Sequence, residues 1–360
     1  MEIMIYIFFL HSYIYENSDS LLISNDSFTI CGNHQYNLKI HLENNALLKV
    51  RDWNEVDSTG KIILVAPLIH IHHSMIDGSK KGYSGGNNTH PNGYGPGCGY
   101  AGIGGGGGGG AYGGAGGDGG DLNPGAGGTP YGNADDTLIN MGSGGGVGRL
   151  STVDGFGGSG GGLVYLRAKK IIMDTAMVLT NGSNGFDGSY EAGGGGSGGG
   201  IKLWADTMIL RCSSIVANGG SGGNAEGGGG GGGGGGRIKI FYTIIDTIHL
   251  ELLVNGGDGG YGGYGNGENG STGTIYFGPL IGIKEESKEE FYKPLQKSII
   301  TRGRMCVNQK NIEFSIYDSS GSLIGVINTD GMLDLLRLKN GVYFLRKEKD
   351  QNFIKIILIR

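Results

Sequence analysis

A phrase of alternating apolar residues recurs every 37 residues, and this spacing constrains the fold more than any other feature. VYLRAKKIIMDTAMVLTNG begins at Val164, IKLWADTMILRCSSIVANG at Ile201, IKIFYTIIDTIHLELLVNG at Ile238 and IYFGP at Ile275. Asn181, Asn218 and Asn255 close the first three copies, again 37 apart and each followed by glycine. IILVAPLIHIHHSMIDG, from Ile62, reads as an earlier divergent copy that is two residues shorter and closes on Asp77-Gly78. The first strand of each copy alternates with period two, so Leu64, Leu166, Leu203 and Ile240 share one face and are expected in the core, with Lys202 on the outer face. A second apolar pair (Ile171/Met173, Met208/Leu210) and a third patch before the Asn-Gly predict three short strands per coil. One coil cannot bury its own face, whereas coils stacked about 4.8 Å apart form a continuous core. The expectation is an all-β chain built on a parallel β-helix-like solenoid. Asn-Gly would supply the positive φ that ends each third strand, and SLLIS, SFTIC, NLKIHL and ALLKV would form irregular coils at the start.

The remainder of each repeat is glycine. The chain holds 80 glycines in 360 residues, about three times ordinary usage. With only 7 prolines and no sustained Gly-X-Y register, collagen is excluded. Each repeat therefore ends in a glycine-rich excursion such as 182–200, and a much longer one spans 82–161. Ordering glycine is entropically expensive. Two outcomes follow: the excursions stay mobile, or extended three-fold chains pack side by side in a polyglycine II lattice. The segment resembles the glycine-rich phage-tip adhesins in composition, and excursions leaving neighbouring coils on the same side favour the lattice.

Residues from Lys284 onward carry 14 Lys+Arg against 10 Asp+Glu, leaving 14 against 23 for the rest. An acidic body without basic clusters argues against nucleic acid as a partner. Cys31, Cys98, Cys212 and Cys306 form no Cys-x-x-Cys pair, and four cysteines allow three disulfide connectivities. The apolar stretch 3–10 has the length of a signal-peptide core and not of a membrane span, although Glu2 precedes it and no small-x-small site follows before Glu16. It reads as a poor signal peptide or a first strand, and no transmembrane span is expected.

After Pro279 glycine thins, and KEESKEE (284–290) makes a charged linker. IEFSIYDSSGSLIGVI reads as one hairpin, and LKNGVYFLRKEKDQNFIKIILIR as a second with Gly341 at a turn. Together they suggest a small C-terminal antiparallel β-sandwich. Ile316-Tyr317-Asp318 with Gly321, then Leu338-Lys339-Asn340-Gly341-Val342-Tyr343-Phe344, then a basic-hydrophobic last strand, resemble the type A-like C-terminal sorting domain of the type IX secretion system. The resemblance covers about the last 70 residues. Only Pro294 stands where that family has a Pro-Asn-Pro phrase. The resemblance implies Tyr317, Asp318, Gly321, Leu338, Gly341, Tyr343 and Phe344 as sorting-motif residues, the type IX machinery as partner, and a secreted or outer-surface location.

His70 and His72 share a strand face as a metal pair must, but the sequence offers no third ligand and a solvated face is the favoured reading. GGDGG around Asp118 and Asp258 lacks the calcium-repeat register, and no glycine run ends in a phosphate-loop Lys-Ser/Thr. A β-helix polysaccharide lyase or hydrolase, the alternative function, would need paired carboxylates on adjacent coils. The matching rows read Lys169, Asp206, Thr243 and Asp174, Arg211, Ile248. No catalytic residue and no cofactor is therefore expected. Tyr83, Tyr94, Tyr100, Tyr112, Tyr261 and Tyr264 lie on the excursions and suit contact with surface glycans. The expected organisation is a leader or first strand at 1–19, a solenoid at 20–283, a linker at 284–293 and a sorting-type domain at 294–360. The expected function is that of a structural or adhesive surface protein.

Overall fold

The computed structural model describes residues 12–280, apart from 56–57 and 150–152, and in the C-terminal region 298–301, 304–306, 312–318, 322–329, 332–334, 338–339, 341–347 and 353–358. Among the described residues there is no helix, and most strand pairs are parallel. The apolar stretch 3–10, the linker 284–293 and Gly321 lie outside them. The chain divides into two compact units, 1–281 and 282–360.

The first unit starts with β1 (Tyr13–Glu16), β2 (Ser20–Ser24), β3 (Ser27–Ile30), β4 (Gly32–Gln35), β5 (Lys39–Glu43) and β6 (Leu47–Val50). A long strand, β7 (Lys61–His72), and a short one, β8 (Met75–Asp77), follow; the small antiparallel pair β9 (Gly148–Arg149) and β10 (Val153–Gly155) lies within the long excursion. Long and short strands then alternate: β11 (Leu163–Asp174), β12 (Met177–Leu179), β13 (Gly200–Arg211), β14 (Ser214–Val216), β15 (Arg237–Ile248), β16 (Glu251–Leu253) and β17 (Thr274–Pro279). The long strands form one sheet in the order β1-β2-β5-β7-β11-β13-β15-β17, with β4 also on β7. The short strands form a second, in the order β16-β14-β12-β8-β6-β3.

Register follows the repeat: Leu166 pairs with Leu64 and Leu203, and Leu203 with Ile240. All four are fully buried in one apolar cluster with Ile69, Ile171, Met208, Ile76, Val178 and Ile215. Three points differ from the sequence expectation. First, each repeat has two strands and not three. Burial falls on Ile62, Leu64 and Ala66, then shifts phase by one residue to Ile69 and Ile71, and the same slip recurs in β11 and β13. Pairing skips Pro67, Lys169, Asp206 and Thr243 at this corner and resumes one residue later in the same register, so two predicted strands are one bent strand. The unpaired residue stands at the same place in every strand, so the strands bend together and the register is kept.

Second, the positive φ is not at the Asn-Gly. It lies at His73, Thr175, Cys212 and His249, the residues between each long and short strand, with φ of 45°, 52°, 46° and 49°. Asn181, Asn218 and Asn255 instead form a side-chain ladder: Asn218 N–H donates to Asn181 Oδ1 at 2.8 Å and Asn255 N–H to Asn218 Oδ1 at 2.7 Å. Third, the earliest copy is not shorter. Asp77 pairs with Leu179, and Ser79 Oγ accepts from Asn181 N–H, taking the asparagine's place in the ladder.

The glycine-rich segments are ordered by backbone hydrogen bonds. Successive residues turn to different neighbours: the amides of Gly106 and Gly109 donate to the carbonyls of Gly120 and Gly117, those of Gly107 and Gly110 to Ala192 and Gly195, and those of Gly108 and Ala111 to Tyr100 and Gly97. A three-residue cycle is the period of an extended three-fold chain. The approach leaves no room for side chains, since a Cβ on Gly109 would stand 2.0 Å from the Gly232 carbonyl oxygen and one on Gly106 2.0 Å from that of Gly229. The shorter excursions fold out and back on themselves, Gly196 to Ser183, Gly233 to Gly220 and Gly270 to Gly257.

Lys202 departs from its expected solvated position. The segment 131–138 lies across the outer face of β13 and β15, and basic side chains hold it there. Lys239 Nζ donates to the carbonyls of Asn133 (2.8 Å) and Leu138 (2.7 Å) and to Asp136 Oδ1 (2.6 Å). Arg237 donates to the carbonyls of Tyr131 and Gly132, both at 3.0 Å, and Lys202 to that of Thr137. Lys202 also stands over the Tyr165 ring at 4.4 Å. Burial, with Lys239 and Arg167 nearby, lowers its pKa to about 8.

In the second unit, β18 (Ser298–Thr301), β20 (Ile312–Tyr317), β21 (Leu323–Thr329), β23 (Gly341–Lys347) and β24 (Phe353–Leu358) form a sheet in the order β18-β24-β23-β20-β21, beside a separate pair, β19 (Arg304–Cys306) and β22 (Met332–Asp334). β20–β21 and β23–β24 are the two expected antiparallel hairpins.

Candidate functional site

The ends of the excursions farthest from the strands bring exposed aromatic and acidic side chains together. The turns at 186–191, 223–228 and 260–265 stack with the 37-residue offset. Gly188 N–H donates to the Asn224 carbonyl at 3.1 Å, and Ala225 N–H to that of Tyr261 at 3.0 Å. Asx-type bonds fix them further, from Asn224 N–H to Asp187 Oδ1 (2.7 Å) and from Tyr261 N–H to Asn224 Oδ1 (2.8 Å). With the backbone spent on these bonds, the side chains project outward. Tyr261 is 66% exposed, Tyr264 71% and Phe186 58%. The Tyr190 and Tyr264 rings lie 6.0 Å apart and Phe186 meets Phe156 at 6.4 Å. Beside them Asp187, Gly188, Ser189, Asn224, Ala225 and Glu226 line an open recess of about 490 Å³. An amphipathic ring next to carboxylates and amides can stack on an apolar face while hydrogen-bonding a polar edge.

Of the six tyrosines singled out in the sequence, Tyr261, Tyr264 and Tyr100 are exposed. Tyr83 and Tyr94 pack on Trp53 at 5.1 and 5.4 Å, and Tyr94 also stacks on His90. Tyr112 is a correction: it is fully buried, 4.9 Å from Tyr131, and its hydroxyl accepts from Asn140 N–H. It packs against Tyr131 of the 131–138 segment, the strap across the outer face, and is not a contact residue. Tyr190 and Phe186 were missed. The available signal was that Tyr190 and Tyr264 stand two periods apart, which appears once the repeat is carried into the excursions.

Beneath the turns lies Glu191, a fully buried carboxylate. Its Oε2 accepts from Gly228 N–H at 3.0 Å while Oε1 has no partner. Burial pushes its pKa up to about 7; the Gly228 bond opposes this, and the charges of Asp121 and Asp154 add to it. The folded state therefore keeps a proton that the unfolded chain releases above its ordinary value near 4.5. Stability is expected to fall as pH rises from that value through about 7, by at most about 3 kcal/mol. The difference in denaturation midpoint between the wild type and Glu191→Gln, followed across this pH window, reads the effect. A constant difference contradicts it.

His70 and His72 have more company than the sequence offered. His41, on β5, pairs with His70, their rings 4.8 Å apart, and the His72 and His73 rings lie 4.2 Å apart. His41 Nε2 is 3.1 Å from Glu43 Oε2, and His72 Nε2 3.7 Å from Asp174 Oδ2. Burial, then the charges of His41 and His72, lower the His70 pKa. His41 and His72 thus turn to carboxylates, and among the described residues no group of three or more His, Cys, Asp or Glu is placed to hold a metal ion. Of the two outer rows, one is paired as aligned in the sequence, Asp174 with Arg211 and Arg211 with Ile248, with Arg211 2.9 Å from Asp246, whereas Lys169, Asp206 and Thr243 fall on the unpaired corner. Cys31, Cys98 and Cys212 are free thiols.

In the second unit Tyr317 pairs with Phe344 across β20 and β23. Asp318 bonds to Ser322, its carboxylate accepting from Ser322 N–H and its N–H donating to the Ser322 carbonyl, both at 3.0 Å. Leu338 is half-buried. Tyr343 lies on β23 and its hydroxyl donates to the Lys339 carbonyl at 2.8 Å. Gly341 opens β23, opposite Leu358. No helix among the described residues is long and apolar enough to cross a membrane. Compared with known proteins, the chain matches no family model, no curated protein and no solved structure.

Proposed function

We propose that the chain is a secreted, non-enzymatic surface protein. In this reading its parallel β-solenoid carries a polyglycine II lattice, whose outer turns contact cell-surface polymers such as glycans. The exposed cluster of Phe186, Tyr190, Tyr261 and Tyr264 around a recess lined by Asp187 and Glu226 carries the reading. Large aromatic surfaces left open on an otherwise closely packed element mark interaction sites. The three-residue hydrogen-bond cycle of 106–111 supports the lattice, and a lattice gives those turns the rigidity that lowers the entropic cost of binding. The likeness of Tyr317, Asp318, Leu338, Gly341, Tyr343 and Phe344 to the sorting domain supports export by the type IX machinery, with the second unit as a small β-sandwich. Nucleic acid has no part in this reading, and neither does a cofactor.

Binding of the purified protein to an array of surface polysaccharides tests it. Tyr261→Ala with Tyr264→Ala should weaken binding by about tenfold or more, since each aromatic stack contributes about 0.5–1.5 kcal/mol beyond area, and should leave denaturation unchanged. Undiminished binding by the double variant removes the turns from the account. Depolymerisation of the glycan that is lost in Asp206→Asn or Asp174→Asn would establish the enzyme instead.

A further inference from the structure

We infer that Asn255-Gly256 is the body's site of spontaneous deamidation through a cyclic imide. In that reaction the Gly256 amide nitrogen loses its proton and bonds to Asn255 Cγ. The Cγ–Nδ2 bond breaks and ammonia leaves. Water then opens the five-membered imide at either carbonyl, leaving aspartate or, with the main chain rerouted through the side chain, isoaspartate. Asn-Gly is the dipeptide best suited to this because no Cβ obstructs the attacking nitrogen. The reaction needs two freedoms: the glycine N–H must be unbonded, and the asparagine carboxamide must be free to swing onto it.

The described residues contain seven Asn-Gly pairs, and six have both groups engaged. In the ladder, Gly182 N–H donates to the Asn218 carbonyl and Gly219 N–H to the Asn255 carbonyl, both at 2.8 Å, while Asn181 and Asn218 each accept through Oδ1 from the next asparagine. Gly93, Gly185, Gly267 and Gly270 donate to the carbonyls of Gly99, Ser221, Gly260 and Gly257. Their asparagines accept through Oδ1 from Ala101, Ser221, Gly262 and Gly259. Asn255 is the exception. It is exposed, and among the described residues its Oδ1 accepts no bond and Gly256 N–H donates none. The cause is the repeat itself, because the next position of the ladder is Tyr292 and among the described residues no later asparagine donates to Asn255. Conversion there would place a carboxylate, or an added main-chain methylene, at the root of the excursion 256–273.

The test is to incubate the full chain in mildly alkaline buffer and follow amide-to-acid conversion peptide by peptide by mass spectrometry, with isoaspartate labelling to identify the product. Each engaged hydrogen bond slows attack by about tenfold, so Asn255 should convert at least about tenfold faster than Asn181, Asn184 or Asn218. In denaturant the body's Asn-Gly rates should converge, because the fold alone separates them. Native rates that are equal, any engaged pair outrunning Asn255, or a spread that persists in denaturant would each overturn the inference.

Discussion

Leu203→Asp is expected to unfold the stacked repeats, with a loss of several kcal/mol. Leu203 is fully buried and sits between Leu166 and Ile240 on neighbouring rungs. A carboxylate there would have apolar neighbours above and below and no partner, and an unpaired buried charge is among the costliest single changes available to a domain. Because each rung supports only its neighbours, the loss should spread along the stack. Lys202→Asp is no control, since Lys202 is buried under the strap. Arg167→Asp, on an exposed position of the same strand system, is the suitable one and should change stability by less than about 1 kcal/mol. Equal denaturation midpoints for the two variants would mean that the inner and outer faces have been exchanged.

Gly109→Val should have a comparable effect for a different reason. Nothing polar is buried, but the new Cβ would stand 2.0 Å from the Gly232 oxygen, and that oxygen belongs to backbone that cannot swing aside. The chains must part, which would strip the hydrogen bonds from Gly109 to Gly117 and from Gly128 to Gly109. Each exposed or orphaned bond costs about 1 kcal/mol or more, so local melting of 106–120 against 229–235 is the expected result, read as accelerated amide exchange in those peptides. Gly104→Asn is the matched comparison. Gly104 has φ of +87° and open space around it, with Asn123 Nδ2 the nearest atom at 3.9 Å. Asparagine tolerates that region, and the lattice should survive. Similar exchange in both variants would show that the glycines serve backbone freedom and not close approach.

What could be read from the sequence was what repeats. Leu166, Leu203 and Ile240 share a column because a period-two face and a 37-residue offset together leave one alignment of the rungs. The corner at Asp206 is not legible because an unpaired residue repeated in every copy resembles the end of one strand and the start of another. The role of Asn218 was misassigned because asparagine before glycine is a turn signal in isolation, whereas in a stack its carboxamide reaches the next rung first. The burial of Lys202, Lys239 and Tyr112 depends on residues 131–138 crossing over sheet strands more than 60 positions later, as in the bond from Lys202 to Thr137, and no local pattern encodes such a contact. The same holds for Glu191, whose partner Gly228 is 37 residues away within otherwise featureless glycine. At Tyr190 and Tyr264 the periodic signal was present but lay outside the apolar phrases that defined the repeat.

Amide hydrogen exchange across residues 104–120 of the wild-type protein tests the central claim most directly. Every amide from Gly106 to Ala111 donates to a backbone carbonyl of a neighbouring extended segment, as a packed lattice requires. Their exchange should then be slow, on the scale of β11 and β13, and should accelerate only with global unfolding. Exchange at the rate of an unstructured peptide throughout this segment, with the strands still protected, would contradict the lattice and the rigid presentation of the outer turns that depends on it.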